Sequence, residues 1–335
     1  MNYTHFVGID VSKNTLDFTV LQGTNICFQT REENGMQGIR KFMKQLKAQP
    51  DFSLEQTVFC MEHTGIYNQH LLEFLSHLKA PVCLESSLHI KQSSGLQRGK
   101  NDTVDALRIA QYAYKNREEL RLWQPPREVI QKLKHLVVLR SRLINVKKQL
   151  TTPLKESSTF IDKSLTRQIV ALCKNSIASV EKDLQKTEKE IQQLVASDDQ
   201  LSKLFSIITS VDGVGKVTAS AMIITTNEFK DIREPARFAC YAGVAPFEHS
   251  SGTSIKGKTR VSPKANKAMK TLLHLSAISA IRNNADMKAY YVRKIAENKN
   301  KMSVINAVRN KLVWRVFACV RNNRLYQEKY VSALG

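Results

Sequence analysis

A short apolar run, His5-Phe6-Val7-Gly8-Ile9-Asp10, stands near the start of the chain, and a second extends from Thr15 to Leu21. Val11-Ser12-Lys13-Asn14 between them reads as a tight polar turn, so the two runs are predicted to pair as a hairpin of strands. Ile26 to Thr30 predicts a third antiparallel strand. Met36, Ile39, Phe42, Met43 and Leu46 then fall at helical spacing. Thr57–Glu62 is another strand, followed by a helix carrying Ile66, Leu71, Leu72, Phe74, Leu75 and Leu78, and Pro81–Leu84 is a fifth strand.

That order, three antiparallel strands, then helix, strand, helix, strand, resembles the ribonuclease H-like fold. A mixed sheet covered by helices is therefore expected over residues 1–122. Trp123-Gln124-Pro125-Pro126 closes this domain, because consecutive prolines stop a helix and favour extended chain. From Arg127 to about Leu150, apolar residues recur at three- and four-residue intervals. After Pro153 the pattern resumes, with Val180, Leu184, Thr187, Ile191 and Leu194 forming a seam. Two long helices over 127–200 satisfy it, either as a coiled coil that assembles subunits or as a helical hairpin within one chain. Residues 201–335 read as helical except for a Gly- and Ser-rich stretch, Gly243 to Gly257. The fold class is α/β plus α: a mixed-sheet domain, a long helical segment and a mainly helical C-terminal domain.

Charge changes this picture most. The 335 residues carry 51 Lys and Arg against 30 Asp and Glu, a formal charge of +21. Residues 1–125 are nearly neutral at +1, residues 126–200 carry +5, and residues 201–335 carry +15. A neutral front and a cationic back suggest a protein that holds a polyanion with its C-terminal half. No stretch approaches the roughly 18–20 apolar residues of a membrane span. Met1-Asn2-Tyr3-Thr4-His5 has no signal-peptide layout, so a cytoplasmic protein is expected. The six cysteines (27, 60, 83, 173, 240, 319) are scattered without any Cys-x-x-Cys, which predicts buried thiols rather than a zinc knuckle or a disulfide framework.

Asp10 ends the first strand and Glu62 the fourth, and in the expected fold these ends lie side by side. Lys100-Asn101-Asp102-Thr103-Val104-Asp105-Ala106-Leu107 adds Asp102 at or near a helix N-cap, with Asp105 three residues on over the same face. Four converging carboxylates repel one another unless a divalent cation neutralises them, and Mg²⁺ is the hard ion that suits them. Two such ions, roughly 3.5–4 Å apart, would stabilise attacking and departing oxygens in phosphodiester chemistry. Taken singly, Asp102 reads as a cap, Asp105 as a solvated first-turn acid, and Asp10 as a turn residue. Asp17 in the second strand is a weaker extra candidate.

Ser210-Val211-Asp212-Gly213-Val214-Gly215-Lys216-Val217-Thr218-Ala219 resembles the turn of a helix-hairpin-helix motif. There the glycines let the backbone approach a phosphate, and the amides of the next helix donate to it. Gly213, Gly215 and Lys216 are its candidate contacts, and the spacing does not match a P-loop. From His249 to Ala285 there is no acid, while Lys256, Lys258, Arg260, Lys264, Lys267, Lys270 and Arg282 are all present. A serine in that field, Ser250 or Ser251, can act as a nucleophile on phosphate or merely hydrogen-bond one or cap a turn.

Gly8-Ile9-Asp10-Val11-Ser12-Lys13, Glu62-His63-Thr64-Gly65 and the segment around Asp102 and Asp105 together resemble the N-terminal motifs of the DEDD transposases. These belong to the "one-ten" group of insertion sequences and are related to the Piv DNA invertases. Gly213-Val214-Gly215, Tyr241-Ala242-Gly243-Val244-Ala245-Pro246, Ser251-Gly252 and Lys256-Gly257-Lys258-Thr259-Arg260-Val261-Ser262 match the C-terminal series in order. The resemblance implies a RuvC-like first domain, long helices that mediate assembly into a homodimer or homotetramer, and a C-terminal transposase domain with a nucleophilic serine. It implies Mg²⁺ on Asp10, Glu62, Asp102 and Asp105, and motif position puts the nucleophile at Ser251, with Ser250 and Ser254 as confounders. The implied partners are double-stranded target and donor DNA and a structured guide, the bridge RNA, in the bacterial cytoplasm at the nucleoid. The serine would form a covalent phosphoserine link, at a composite site that combines domains from different subunits. Two departures are Asn101, where the family commonly has Thr, and Ser86-Ser87-Leu88 in place of an Asn-Pro pair, neither expected to touch a proposed ligand. The alternatives are a RuvC-like resolvase or nuclease using metal-activated water, an actin-like ATPase, and a non-catalytic binding protein.

Overall fold

A computed structural model of the chain describes residues 3–93, 102–245, 247–251, 255–261 and 265–327; of these, 102, 103, 158, 247–251 and 255–260 are described by their backbone alone. The chain divides into two compact units, residues 1–125 and 126–335. Among the described residues, no helix is long and apolar enough to cross a membrane.

The first unit is built on a five-stranded mixed sheet. Its strands are β1 (His5–Val11), β2 (Thr15–Gln22), β3 (Asn25–Glu33), β4 (Thr57–Glu62) and β5 (Val82–Glu85), in the order β3-β2-β1-β4-β5. The first three pair antiparallel, and β4 and β5 add on in parallel to β1. Alternation along the strands feeds two apolar layers. Val7, Ile9, Phe59, Met61 and Val82 face Ile39, Phe42 and Leu46 of helix α1 (Met36–Lys47) and Leu71 and Leu75 of helix α2 (Gln69–His77). Phe6, Leu21, Val58, Cys60 and Cys83 point the other way, onto Ile109, Ala110 and Ala113 of helix α4 (Asp102–Lys115). The short helix α3 (Ser87–Ser93), which the sequence reading did not predict, follows β5.

The second unit begins with the long helices α5 (Glu128–Phe160) and α6 (Lys163–Ala196). They pair with each other as a hairpin: Arg140 meets Glu188 and Lys147 meets Glu181, both at 2.8 Å, so the partners run in opposite directions. The expected break near Leu150 is absent, and α5 passes through Pro153. A proline removes one i→i−4 bond, a small fraction of those in a helix of 33 residues. Helices α7 (Asp199–Thr209), α8 (Lys216–Thr226), α9 (Pro235–Tyr241), α10 (Lys267–Asn283), α11 (Ala285–Ala296) and α12 (Lys301–Arg321) follow. The Gly- and Ser-rich stretch between α9 and α10 holds a two-stranded hairpin, β6 (Phe247–Ser251) and β7 (Ile255–Arg260). Val308, Leu312, Val313 and Val316 of α12 line the middle of a core that also takes in Ile130 and Leu133 of α5, Ile208 of α7, Phe238 of α9 and Leu273 of α10.

An arginine clamp fixes the start of that core. Arg127, immediately before α5, donates to both oxygens of Asp198 (2.7 and 3.0 Å) and reaches Glu228 through Nε (3.0 Å) and Nη2 (2.5 Å). Asp198 also caps α7 by accepting from the Leu201 amide, and Glu228 follows α8 in left-handed backbone, φ 57°. The Glu228 side chain is only 1% exposed. Burial opposes its charge, yet Arg127 and Lys230 hold the carboxyl below the usual carboxylate range, and Arg127 with the Leu201 amide does the same for Asp198. The unfolded chain therefore takes up these two protons at a higher pH than the folded chain. The clamp's stabilisation is complete above the ordinary carboxyl range of about 4 and is lost as pH falls below it. Urea midpoints should accordingly fall between about pH 5 and pH 3 in the wild type. Arg127→Ala should cost about 2 kcal/mol near neutral pH by leaving Glu228 buried with Lys230 alone, and should flatten that acid-side fall. An acid-side slope unchanged by the substitution would refute the assignment.

Candidate functional site

In the first unit the carboxylates form a row. The β1–β4 register pairs Ile9 with Met61, which sets Asp10 one residue further on, level with Glu62. Across β1 and β2 Asp10 pairs with Asp17, and across β4 and β5 Glu62 pairs with Glu85. Positions level across a sheet share a face. This face carries Phe6, Gly8, Cys60 and Cys83, so all four acids lie on the side covered by α4. Asp17 is buried and bound by Arg31 at 2.8 Å. Glu85 accepts from the Ser86 amide (2.8 Å) and Tyr112 (3.2 Å) and lies 2.9 Å from His89. Burial and that carboxylate push the Tyr112 hydroxyl far above the ordinary tyrosine range. The two flanking acids thus have partners on neighbouring elements, β3 for Asp17 and α3 and α4 for Glu85. Asp10 and Glu62 occupy the middle.

Gly8 decides where α4 runs. A Cβ at Gly8 would lie 2.2 Å from the Ala106 carbonyl oxygen and the Ala110 amide nitrogen, so only glycine admits the helix backbone this close. Tyr114, one turn beyond Ala110, packs its ring edge-on to Phe6, with centroids 5.2 Å apart. From Phe6 to Gly8 along β1 the contacts step back from Tyr114 to Ala110 and Ala106, so helix and strand run in opposite directions. Two residues further along the strand is Asp10; one turn further back along the helix is the Asp102–Asp105 turn, at the same end. Asp102 is the first residue of α4, and its side chain lies outside the described residues. Asp105 is half-buried and ion-paired with Arg108 at 2.8 Å. Among the described residues, no three His, Cys, Asp or Glu side chains are grouped to hold a metal ion.

Residues the sequence reading missed hold this end of the sheet. Asn68, 1% exposed, accepts from the Thr64 amide (2.7 Å) and hydroxyl (2.8 Å) and donates to the Glu62 carbonyl (2.9 Å), closing the turn after β4. Asn34 donates to the carbonyls of Ser12 (2.8 Å) and Tyr67 (3.1 Å), tying the β1–β2 turn to that second turn. Ser87 donates to Glu62 Oε2 at 2.5 Å, so the Ser86-Ser87-Leu88 departure does touch a proposed ligand. The reason is topological: β4 and β5 are neighbours, and the residue opening α3 stands beside the end of β4. None of these asparagines and serines lies in an apolar pattern, and only the burial of Asn68 gives it away.

In the second unit the expected phosphate-binding turn joins α7 to α8. Gly213 has φ +88°, and a Cβ there would meet the Ser276 carbonyl oxygen of α10 at 2.4 Å, so its lack of a side chain serves packing. Gly215, Lys216 and Val217 at the start of α8 are exposed, and a Cβ on Gly215 would meet nothing within 4 Å. Asp212 beside them accepts from Asn284 at 2.7 Å. In the β6–β7 hairpin Ser250 pairs with Lys256 and Ser251 with Ile255. Lys258 and Arg260 follow on β7, and Lys267 opens α10. Side chains in this hairpin, together with Gly252, Ser254 and Lys264, lie outside the described residues.

Residues 7–157 match a family model for DEDD transposases of the IS110 type, described as a transposase, and residues 205–292 match that of the transposase IS116/IS110/IS902 family. The chain is similar along nearly all its length to the pilin gene-inverting protein of Moraxella bovis, 24% identical over 327 residues, which are 97% of this chain and 98% of that one. Its counterpart from Moraxella lacunata is 24% identical over 334 residues, again 97% and 98% of the two chains. A 43.6 kDa protein of insertion element IS110 from Streptomyces coelicolor is 30% identical over 127 residues, 38% of this chain and 31% of that one.

Proposed function

We propose, for a chain that belongs to the IS110 family of DEDD transposases, that it cuts and rejoins DNA strands of an insertion sequence through a phosphoserine link at Ser251. In this reading Asp10, Glu62, Asp102 and Asp105 hold divalent metal, and a structured guide RNA selects the DNA. One observation carries it. Asp10 and Glu62 end neighbouring parallel strands level with each other, and α4 returns its acidic first turn to that end, inside the segment that matches a transposase model.

The donor set fits a hard cation, since all four groups are carboxylates. When bound, Mg²⁺ would stabilise charge on phosphodiester oxygens. Ser87 steadies Glu62, and Arg108 restrains Asp105 until a cation competes for it. Ser251 Oγ gives up its proton as it attacks phosphorus and displaces a bridging oxygen, which takes up one proton and departs as a hydroxyl, so the step consumes no net proton. The phosphoserine ester keeps one phosphoester bond for each one broken, so a second DNA hydroxyl can rejoin the strand by the reverse attack. Lys256, Lys258, Arg260, Lys264 and Lys267 supply positive charge around the phosphate, and the α8 N-terminus with Gly215 and Lys216 grips the backbone further along.

Assembly is assigned to the α5–α6 hairpin. Phe160 is 87% exposed and Leu172 76%, and Val138, Leu139, Val146, Leu165 and Val170 are also exposed, an apolar surface suited to a second copy of the chain.

Ser251→Ala should abolish covalent protein–DNA adducts, read by gel shift under denaturing conditions, while nucleic-acid binding stays intact. Adducts that persist there and vanish in Ser250→Ala would shift the nucleophile by one residue. Strand cleavage at an unchanged rate in Ser251→Ala would replace the mechanism by hydrolysis with metal-activated water. RNA recovered with the purified protein should, on sequencing, be a short transcript of the element itself; random cellular RNA would remove the guide from the reading. Leu172→Glu should lower the mass measured by light scattering from dimer or tetramer toward monomer, and an unchanged mass would place assembly elsewhere.

A further inference from the structure

A cavity of about 1200 Å³ opens in the second unit between α10, α11 and α12. Among the described residues its charged lining is Lys267, Lys270, Arg309 and Lys311, without a carboxylate. Lys267, Lys270 and His274 fall at helical spacing on α10; Asn306, Arg309 and Asn310 do so on α12. The two helices thus turn one polar stripe each toward a common space.

Arg309 is the unusual member. It is 5% exposed, within the apolar stripe of Ile305, Val308, Leu312 and Val313. Its Nη1 donates to Asn306 at 3.4 Å and its Nη2 to His274 Nδ1 at 2.5 Å, while Nε is buried without a partner. Among the described residues no acid pairs with it. A guanidinium cannot shed its proton to escape burial, so an unpaired one in the core is costly unless an anion supplies the missing charge. The contact on Nδ1 requires neutral His274, with its proton on Nε2 as a further donor. Burial, then the Arg309 charge, holds that imidazole below the ordinary histidine range. Tyr290, carrying Lys311 over its ring at 4.6 Å, and Met302 give the cavity an apolar wall of base size beside the cations.

We propose that this cavity seats a backbone phosphate of a nucleic-acid strand, anchored by Arg309 and closed by Lys270, Lys311 and His274. The inference rests on the reading of the chain as a DNA transposase, and it adds a phosphate seat that needs neither Ser251 nor the carboxylate row. A polyanion fits better than a protein carboxylate, because four cations and a histidine line a space larger than one side chain would fill.

The test uses the full chain without divalent metal, with fluorescent DNA and RNA oligonucleotides of the same sequence, about twenty nucleotides long, over a range of salt. Arg309→Gln should weaken binding about tenfold or more, as loss of a charged hydrogen-bonding anchor does. Lys270→Gln, at a half-buried position on the cavity wall, should lower the log–log salt slope by about 0.7, one single-strand phosphate contact. A loss with either oligonucleotide supports the seat, and the stronger effect tells whether DNA or RNA occupies it. Should Arg309→Gln unfold by near-ultraviolet circular dichroism, Lys270→Gln decides alone. Affinity and slope unchanged with both oligonucleotides in Lys270→Gln, or in folded Arg309→Gln, overturn the proposal. Its failure is separable from that of the transposase reading: adducts at Ser251 with unchanged binding in these variants sink only the seat, whereas weakened binding in a chain that never forms adducts sinks only the mechanism.

Discussion

The missing side chain of Gly8 is the constraint on which the N-terminal site depends. Side chains ordinarily separate a helix from the sheet it covers; here the α4 backbone comes within van der Waals reach of β1 itself. That contact fixes both the position and the direction of α4, because Ala106 and Ala110 occupy the gap and Tyr114 lands on Phe6. Once direction is fixed, the acidic first turn of the helix has one end of the sheet available to it, the end where β1 and β4 finish. A larger residue at position 8 would lift the helix and move its first turn away from Asp10 before any carboxylate was altered.

The same device recurs in the second unit, where Gly213 lets the α7–α8 turn sit against the carbonyl of Ser276 on α10. Reading Gly213 and Gly215 as a pair of phosphate-approaching glycines overlooked this difference. One of them is absorbed by packing, and the open one, Gly215, is left at the exposed start of α8. Sequence spacing does not separate these roles, since both demand the absence of Cβ. Only the identity of the neighbour, helix backbone or open space, does so.

What could be read from sequence divides along similar lines. The strands β1, β2, β4 and β5 and the helix α1 were legible within a residue or two because each buries a periodic face, whereas β3 runs three residues past Thr30 and α2 begins only at Gln69, leaving Ile66 exposed before it. Asp10 and Glu62 were legible as neighbours because strand order alone puts them there. Ser87 and Asn34 were not, because their partners are distant in sequence, and Asn68 was not, because it closes a local turn from a position in no apolar pattern. The helical hairpin α5–α6 was legible as a pattern, but its partner was not: the seam is equally satisfied by a second chain or by the same one, and here the same chain fills it. Pro153 was overread, since a proline ends a helix only where packing does not continue it.

The cations of the second unit sharpen what the charge of +21 means. Arg127, partly exposed, and Arg309, buried, have opposite surroundings. Arg127 meets two carboxylates, its charge is consumed within the fold, and it has none to offer a ligand. Arg309 meets a neutral histidine and an amide, so its charge is left over. A fold that places a guanidinium among Val308, Leu312 and Val313, with no acid on it among the described residues, has either accepted a destabilising core or reserved the counter-charge for something that arrives later. The acid-free span from Asn298 to Gln327, which surrounds Arg309 in sequence, favours reservation: had the charge been structural, a single Asp or Glu one turn away would have neutralised it. Surface lysines give a basic protein its attraction to any polyanion, whereas a buried arginine that meets only a neutral histidine and an amide would, in the seat proposed above, specify where one phosphate of it sits.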